Sequence, residues 1–421
     1  MKFIKCKLSE LGEIVGGSTP FTKNESYYGG DIPWLTPKDL ANFNGRYINF
    51  GERNITEAGY KSTSVKMLPI NSVLFSSRAP IGYVAINNKN EVCTNQGFKS
   101  VIPNSKTDYM FLYYLLKYNK NKIEAMGSGT TFKEVSGAVM KNIIVNVPEA
   151  KEDQIKIGKI LSKIDDKIEL NTHTNDNLQK LVNDLYIKYF VNFDGYIGEY
   201  KDTDLGMIPE IFNVDTLGNV ITFSNGYGWN SKDMLDVGSE DTYKVFKMGN
   251  INIGGGINKS KTKSWIEKDK TSNLEQYITK KGDILMCMTD MKNSGNPLLG
   301  HTALIDKDDE FVINQRVGII RCNKGLGYSY IYTMSNLKYF INDIRSRANS
   351  GVQVNLTTKG ICDTLVLVPD DNTLNKFQQV AEPLYEKIFN NNNENETLEQ
   401  LRDTLLPKLM NGEIDLDKIE I

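Results

Sequence analysis

From Glu149 to Phe193 apolar residues recur at alternating steps of three and four. They are Ile157, Leu161, Ile164 and Ile168, then Leu178, Val182, Leu185 and Tyr189. This is the spacing of a helix with a coiled-coil seam. About 220 positions later the pattern returns as Phe377, Ala381, Leu384 and Ile388, then Leu398, Leu405 and Leu409. Both copies break at matching places, Asn171 and Asn175 in the first, Asn391 and Asn395 in the second. Each follows a mixed segment of similar size, so the chain is a duplication. A helix of about forty residues is about 60 Å long, and an apolar stripe of that length is costly in water. The economical arrangement buries the two stripes on each other. If the helices run antiparallel, the mixed domains fall at opposite ends, related by an approximate two-fold. The Asn171–Asn175 gap then meets the Asn391–Asn395 gap, and buried Asn facing Asn fixes register at some cost in stability. The alternative is a break between two shorter helices in each copy, which the Asn-rich run from Asn390 to Asn395 favours in the second.

The mixed segments read as many short strands with a few short helices, an α+β class rather than a regular α/β alternation. The expected organisation is a first domain over 1–148, a long helix over 149–193 and a linker over 194–209. A second domain follows over 210–369, then a second long helix over 370–415 and a tail over 416–421. Landmarks repeat in order. Leu11-Gly12 is answered by Leu217-Gly218, the run at Asn71–Leu74 by Gly282–Leu285, and Asn95-Gln96 by Asn314-Gln315. Gly127-Ser128-Gly129 is answered by Asn349-Ser350-Gly351, and the run ending at Pro148 by the run ending at Pro369. The loops differ, since Phe75–Ile81 faces the much longer Met286–Leu299. A kept framework with changed loops suits two recognition surfaces with different targets. Drift of surface loops would look the same.

The net charge of −2 hides a segregation. Residues 1–145 carry about +7 and 210–368 about +2, whereas 146–209 carry about −4 and 369–421 about −7. Basic domains can lie on a nucleic acid while acidic helices avoid its phosphates. Acidic helices also serve solubility alone. Five cysteines are scattered singly and there are only two histidines, His173 and His301. A disulfide framework, a thiolate or histidine metal site and a histidine triad lack material. No apolar run approaches a membrane span and the N-terminus has no secretory pattern, so a cytoplasmic location is expected. Gly254-Gly255-Gly256 lacks the context of a phosphate loop. Asn296-Pro297-Leu298 lacks the second proline and the aromatic of an amino-methyltransferase motif. No metal site and no catalytic residues are expected.

Two variable α+β domains separated by long helices resemble the specificity subunit of type I restriction–modification systems. The local signatures are Gly127-Ser-Gly-Thr-Thr-Phe132 before the closing strand, Pro148 then Gln154-Ile155 opening the first helix, and Leu205-Gly-Met-Ile-Pro209 before the second domain. The second copy departs at its helix start, where Phe377-Gln-Gln-Val380 is shifted. The resemblance implies that each domain reads one half of a split double-stranded DNA sequence and that the helices set the spacer. It implies two methyltransferase subunits docked along the helices and a translocase–endonuclease joining for restriction. Adenosylmethionine, ATP and Mg would belong to those partners, with none bound by this chain. Base readers are expected among polar and cationic loop residues with aromatics nearby. In the first domain these are Lys23, Tyr27, Lys38, Ser77, Arg78, Thr131 and Lys133. In the second they are Tyr227, Trp229, Lys247, Asp290, Lys292, Asn293, Arg345, Arg347 and Gln353. The rival readings are a self-contained DNA methyltransferase or nuclease, and a coiled-coil scaffold that binds only proteins.

Overall fold

A computed structural model of the chain describes residues 1–41, 43, 45–89, 91–129, 133–291, 298–323, 325–349 and 353–416. The chain forms two compact units. One joins Met1–Thr172 to Asn392–Ile421, and the other is the continuous stretch His173–Asn391. The boundary passes through both long helices, so each unit owns half of each helix.

Both helices are unbroken through their Asn positions, over Lys151–Phe190 and Asp371–Met410. Asn is a weak helix former, but side-chain pairing with the facing helix gives its amide partners without unwinding the backbone. The helices run antiparallel in both units. In the first, Asp165 meets Arg402, Lys167 meets Glu394 and Asn171 meets Asn395. In the second, Asn175 meets Asn391 and Gln179 meets Tyr385. The stripes meet as the periodicity predicts, with Phe377 packed against Tyr186 and Phe190, and each also turns toward its own domain. Ile164, Ile168, Leu178, Leu185 and Tyr189 are only half-buried. Fully buried helical side chains, among them Ile157 and Leu161 in one unit and Val182, Tyr186 and Phe377 in the other, enter the core of their own unit. A broad domain surface removes more apolar area from water than a narrow helix seam.

The first unit is closed by antiparallel pairing of Phe3–Lys7 with Ile144–Pro148, which delivers the chain to the first long helix. Its main sheet has the order Gly12–Gly16, Lys99–Pro103, Val73–Ser77, Ile81–Asn87, Tyr47–Ile48. Central Val73–Ser77 is wholly buried, with a register shift between Phe75 and Ser77 at its end. The aromatic helix expected from Tyr109 to about Glu124 is divided at Asn119 into Tyr109–Tyr118 and Lys120–Ala125.

The second unit repeats this plan. Asn213–Thr216 pairs with Leu365–Val368, and the main sheet has the order Thr222–Asn225, Val317–Arg321, Ile284–Cys287, Thr302–Leu304. The stretch expected as a linker carries a hairpin, Tyr200–Thr203 against Gly206–Pro209. Its turn holds Gly206 at φ +89, a conformation that suits glycine. The five cysteines are free thiols. Among the described residues no helix is long and apolar enough to cross a membrane.

Candidate nucleic-acid interface

In the first unit three loops meet the end of the central strand. The Ser77 N–H donates to the Gly97 carbonyl at 2.7 Å, and the Ser77 carbonyl accepts from Val135 N–H at 3.0 Å. The turn at Asn95-Gln96 is closed by its own side chain, since Asn95 Oδ1 accepts from Gly97 N–H at 2.8 Å. The loop after Gly12–Gly16 lies on that turn through Ser18 N–H to the Thr94 carbonyl at 3.0 Å. A Cβ on Gly17 would fall 2.1 Å from the Asn95 carbonyl oxygen, so only glycine allows this approach.

Polar side chains gather on that backbone junction. The Glu134 carboxylate bridges two cations, Lys99 at 3.2 Å and Arg78 at 3.4 Å. Lys99 Nζ also donates to Ser77 Oγ and to the Gln96 carbonyl, each at 3.4 Å. Thr19 donates its hydroxyl to Gln96 Oε1. Arg78 keeps about a third of its side-chain surface exposed (34%) and Lys99 far less (13%). A guanidinium held by one carboxylate still offers unpaired donors to a base edge or a phosphate.

The second unit builds the same junction with other side chains. Met288 N–H donates to the Arg316 carbonyl at 3.1 Å, and its carbonyl accepts from Leu356 N–H at 2.9 Å. Gly226 packs against the Asn314 carbonyl, where a Cβ would fall at 2.2 Å. Where the first unit has Arg78 and Glu134, the second has Thr289 donating to Asn355 Oδ1 at 2.8 Å. Gln315 and Arg316 are exposed on the turn.

The predicted readers divide by burial. Lys23 and Lys133 are exposed, and Lys38 is exposed while paired with Glu52 at 2.7 Å. Arg347 is exposed beside Asp343, one helical turn away at 3.0 Å. Tyr227 is part-exposed and lies edge-on to Trp229. Tyr27 is half-buried in a small cluster with Trp34 and Ile55. Lys247 donates to Ser264 Oγ at 2.8 Å. Arg345 donates to the Leu299 carbonyl at 2.9 Å, and burial lowers its pKa against the opposing pull of Asp290.

Three expected readers are corrected. Ser77 is fully buried, its hydroxyl donating to the Gly97 carbonyl. Trp229 is buried, with Nε1 donating to the Ile313 carbonyl at 2.9 Å. Asp290 is buried and accepts from Leu298 N–H. Side chains committed inward cannot meet a base edge without breaking these bonds. Thr131, Lys292 and Asn293 lie outside the described residues, and Gln353 is described only as backbone within Gln353–Asn355. Lys99, Glu134, Gln96, Gln315 and Asn355 stand at the junctions but are not among the readers expected from the sequence. The repeated Asn-Gln dipeptide was the available signal for two of them.

The helix Asn residues are side-chain paired. Asn171, buried, donates to Asn395 Oδ1 at 2.9 Å and to Glu394 at 2.8 Å, and accepts from Lys167 at 3.1 Å. Buried Asn391 donates to Asn175 Oδ1 at 2.8 Å. Each unit also ties its domain to its helix by an ion pair at an equivalent turn. Arg46, buried, reaches Asp166 and Glu169, and Lys281 reaches Glu386 at 2.8 Å. Burial alone would lower the Arg46 pKa, and its hydrogen bonds to Glu169 and Asp166 outweigh it.

The family described as type I restriction modification DNA specificity domain matches residues 2–180. The MjaIX type I restriction enzyme specificity subunit of Methanocaldococcus jannaschii is 32% identical, over 98% of this chain and 94% of that one. The HindI specificity subunit of Haemophilus influenzae is 22% identical, over 98% of this chain and 92% of its own. The crystal structure of a type I restriction–modification S subunit from M. genitalium shares the fold. Its TM-score is 0.57 at 19% identity, covering 97% of this chain and 96% of that one.

Proposed function

The chain belongs to the family of type I restriction–modification specificity subunits, the non-catalytic DNA-recognition components of those systems, and from that premise we propose that its two units each read one half of a split DNA sequence. The observation that carries this reading is the repeated junction. Its backbone hydrogen bonds recur in both units, while the side chains mounted on it differ. One framework with two chemistries is what two unlike half-sites require, because backbone contacts position a protein and side chains at base edges specify.

The helices supply the fixed separation, with the Asn pairs setting their register, and their acidic faces are the docking ground for partners. Those partners are two adenine methyltransferase subunits and a translocase–endonuclease. Adenosylmethionine, ATP and Mg are held by them and none by this chain, which works on double-stranded DNA in the cytoplasm.

The test is selection from duplexes randomised over a long core, using the full chain bound to an adenine methyltransferase subunit of its own system. Two short fixed blocks with one constant gap are expected. A single uninterrupted block, or no enrichment, would sink the reading. In the same assay Arg78→Ala is expected to weaken preference in one block only, by roughly 1–3 kcal/mol. Equal loss on every duplex would make Arg78 a phosphate contact.

A further inference from the structure

The bridge between the end of the central strand and the segment leading to a short helix, Gly137–Asn142 in one unit and Thr358–Cys362 in the other, is built twice, from different residues. In the first unit it is Arg78 to Glu134, with Lys99 on the same carboxylate. In the second it is Thr289 to Asn355. The flanking backbone bonds are equivalent, Val135 to Ser77 and Leu356 to Met288. The position is therefore fixed in space by the fold while its chemistry is free to vary. We propose that this bridge is a specificity-determining position in each unit, and that Glu134 is the positioning residue that aims Arg78 and Lys99.

This inference rests on the reading that the units bind DNA, and electrostatics separates the two. A carboxylate facing a duplex repels it, so a carboxylate among DNA-binding cations is a liability unless it does something else. Glu134 holds two long cationic side chains that would otherwise sample many rotamers. Ordering them before binding lowers the entropy lost on contact and narrows the set of base edges they can satisfy. Lys99 is the more deeply set, also donating to Ser77 Oγ and the Gln96 carbonyl, which leaves Arg78 as the more exposed arm. In the second unit a neutral hydroxyl–amide bridge replaces the ion pair. Thr289 is buried and Asn355 half-buried, so the amide is the outer member of that bridge, as Arg78 is of the first.

The test uses Glu134→Gln in the full chain with its methyltransferase partner, on duplexes randomised over the core. Removing the carboxylate is expected to leave binding to the unselected pool equal or stronger. Preference at one or two positions of one block falls roughly tenfold, with the other block unchanged. Glu134→Asp should recover part of the lost preference. These opposite signs on pool and target are what a positioning role requires, and a merely structural role would lower both together. If Glu134→Gln enriches the same two blocks as the wild type, or lowers binding to all duplexes equally, the inference is wrong. If the wild type itself enriches no split sequence, the DNA-reading premise has failed instead.

Discussion

Asp165 and Tyr385 occupy equivalent places, 220 positions apart, where each long helix faces the domain behind it. In the first unit the place is filled by charge. Asp165, buried, accepts from Tyr114 at 2.6 Å and from Arg402 of the opposing helix at 2.8 Å. In the second it is filled by aromatics. Tyr385 bonds Thr333 at 2.7 Å and Gln179 at 3.2 Å and sets its ring against Tyr332 and Tyr328, while Tyr186 and Phe190 pack on Phe377 in the same core. Both solve the same problem of anchoring a helix pair to a domain. The difference lies in how each fails. An apolar anchor weakens in proportion to the volume removed, whereas a buried ion pair fails when one partner is left alone.

The strongest way to break the aromatic anchor is Phe377→Ala. It should cost about 3–5 kcal/mol and raise hydrogen exchange across the second unit while the first keeps its protection. Asp165→Asn preserves shape and removes the charge, with an expected cost of about 2–3 kcal/mol to the first unit in denaturant titration. Replacing Asp165 and Arg402 together by Leu, with Tyr114→Phe to remove the hydroxyl that donates to Asp165, sharpens the contrast, since that combination should be near neutral. A combined variant as damaging as the single would refute the ion-pair account.

Smaller effects probe the helices and the acid response. Changing Asn171, Asn175, Asn391 and Asn395 to Leu should stabilise the chain by roughly 1–2 kcal/mol and blur the gap between enriched DNA blocks. An unchanged gap would show that the Asn pairs do not set spacing. The smallest effect concerns His301, buried in the second unit. Burial lowers its pKa from 6.5, with Arg345 adding to the effect. Its Nδ1 accepts from Gly254 N–H at 3.2 Å, which requires neutral imidazole. The unfolded chain therefore takes up the proton first, and the second unit should lose stability as pH falls below 6.5 toward the folded value. His301→Gln should flatten that slope in thermal melts.

The duplication, the two helices and their Asn pairing were legible because periodicity and repetition are local patterns. Matched spacing in two copies predicts facing partners without coordinates. The domain sites were less legible, for a physical reason. Ser77 and Trp229 look like surface chemistry in sequence, yet a strand end and a packed turn bury them. Lys99 reads as an ordinary strand residue, and only the sheet order brings it beside Glu134, 35 positions away. The hairpin at Tyr200–Pro209 hid in a Gly- and charge-rich stretch with a weak strand signal. The shifted start of the second helix also acquired a cause. Gln154 accepts from Asp108 N–H in the first unit, while in the second Gln378 donates to the Leu326 carbonyl. These are different ways of fastening the helix to the domain.

The two units are unequal in one respect that matters during synthesis. The second is continuous in sequence, whereas the first is completed by residues beyond Asn391. Leu409, Met410 and Leu416 complete the core that contains Ile157 and Leu161. On a ribosome the later unit can close while the earlier one still waits for its missing helix, with that apolar stripe uncovered. Translation speed through residues 392–416, and holdase chaperones that cover apolar surface, therefore bear on the unit made first.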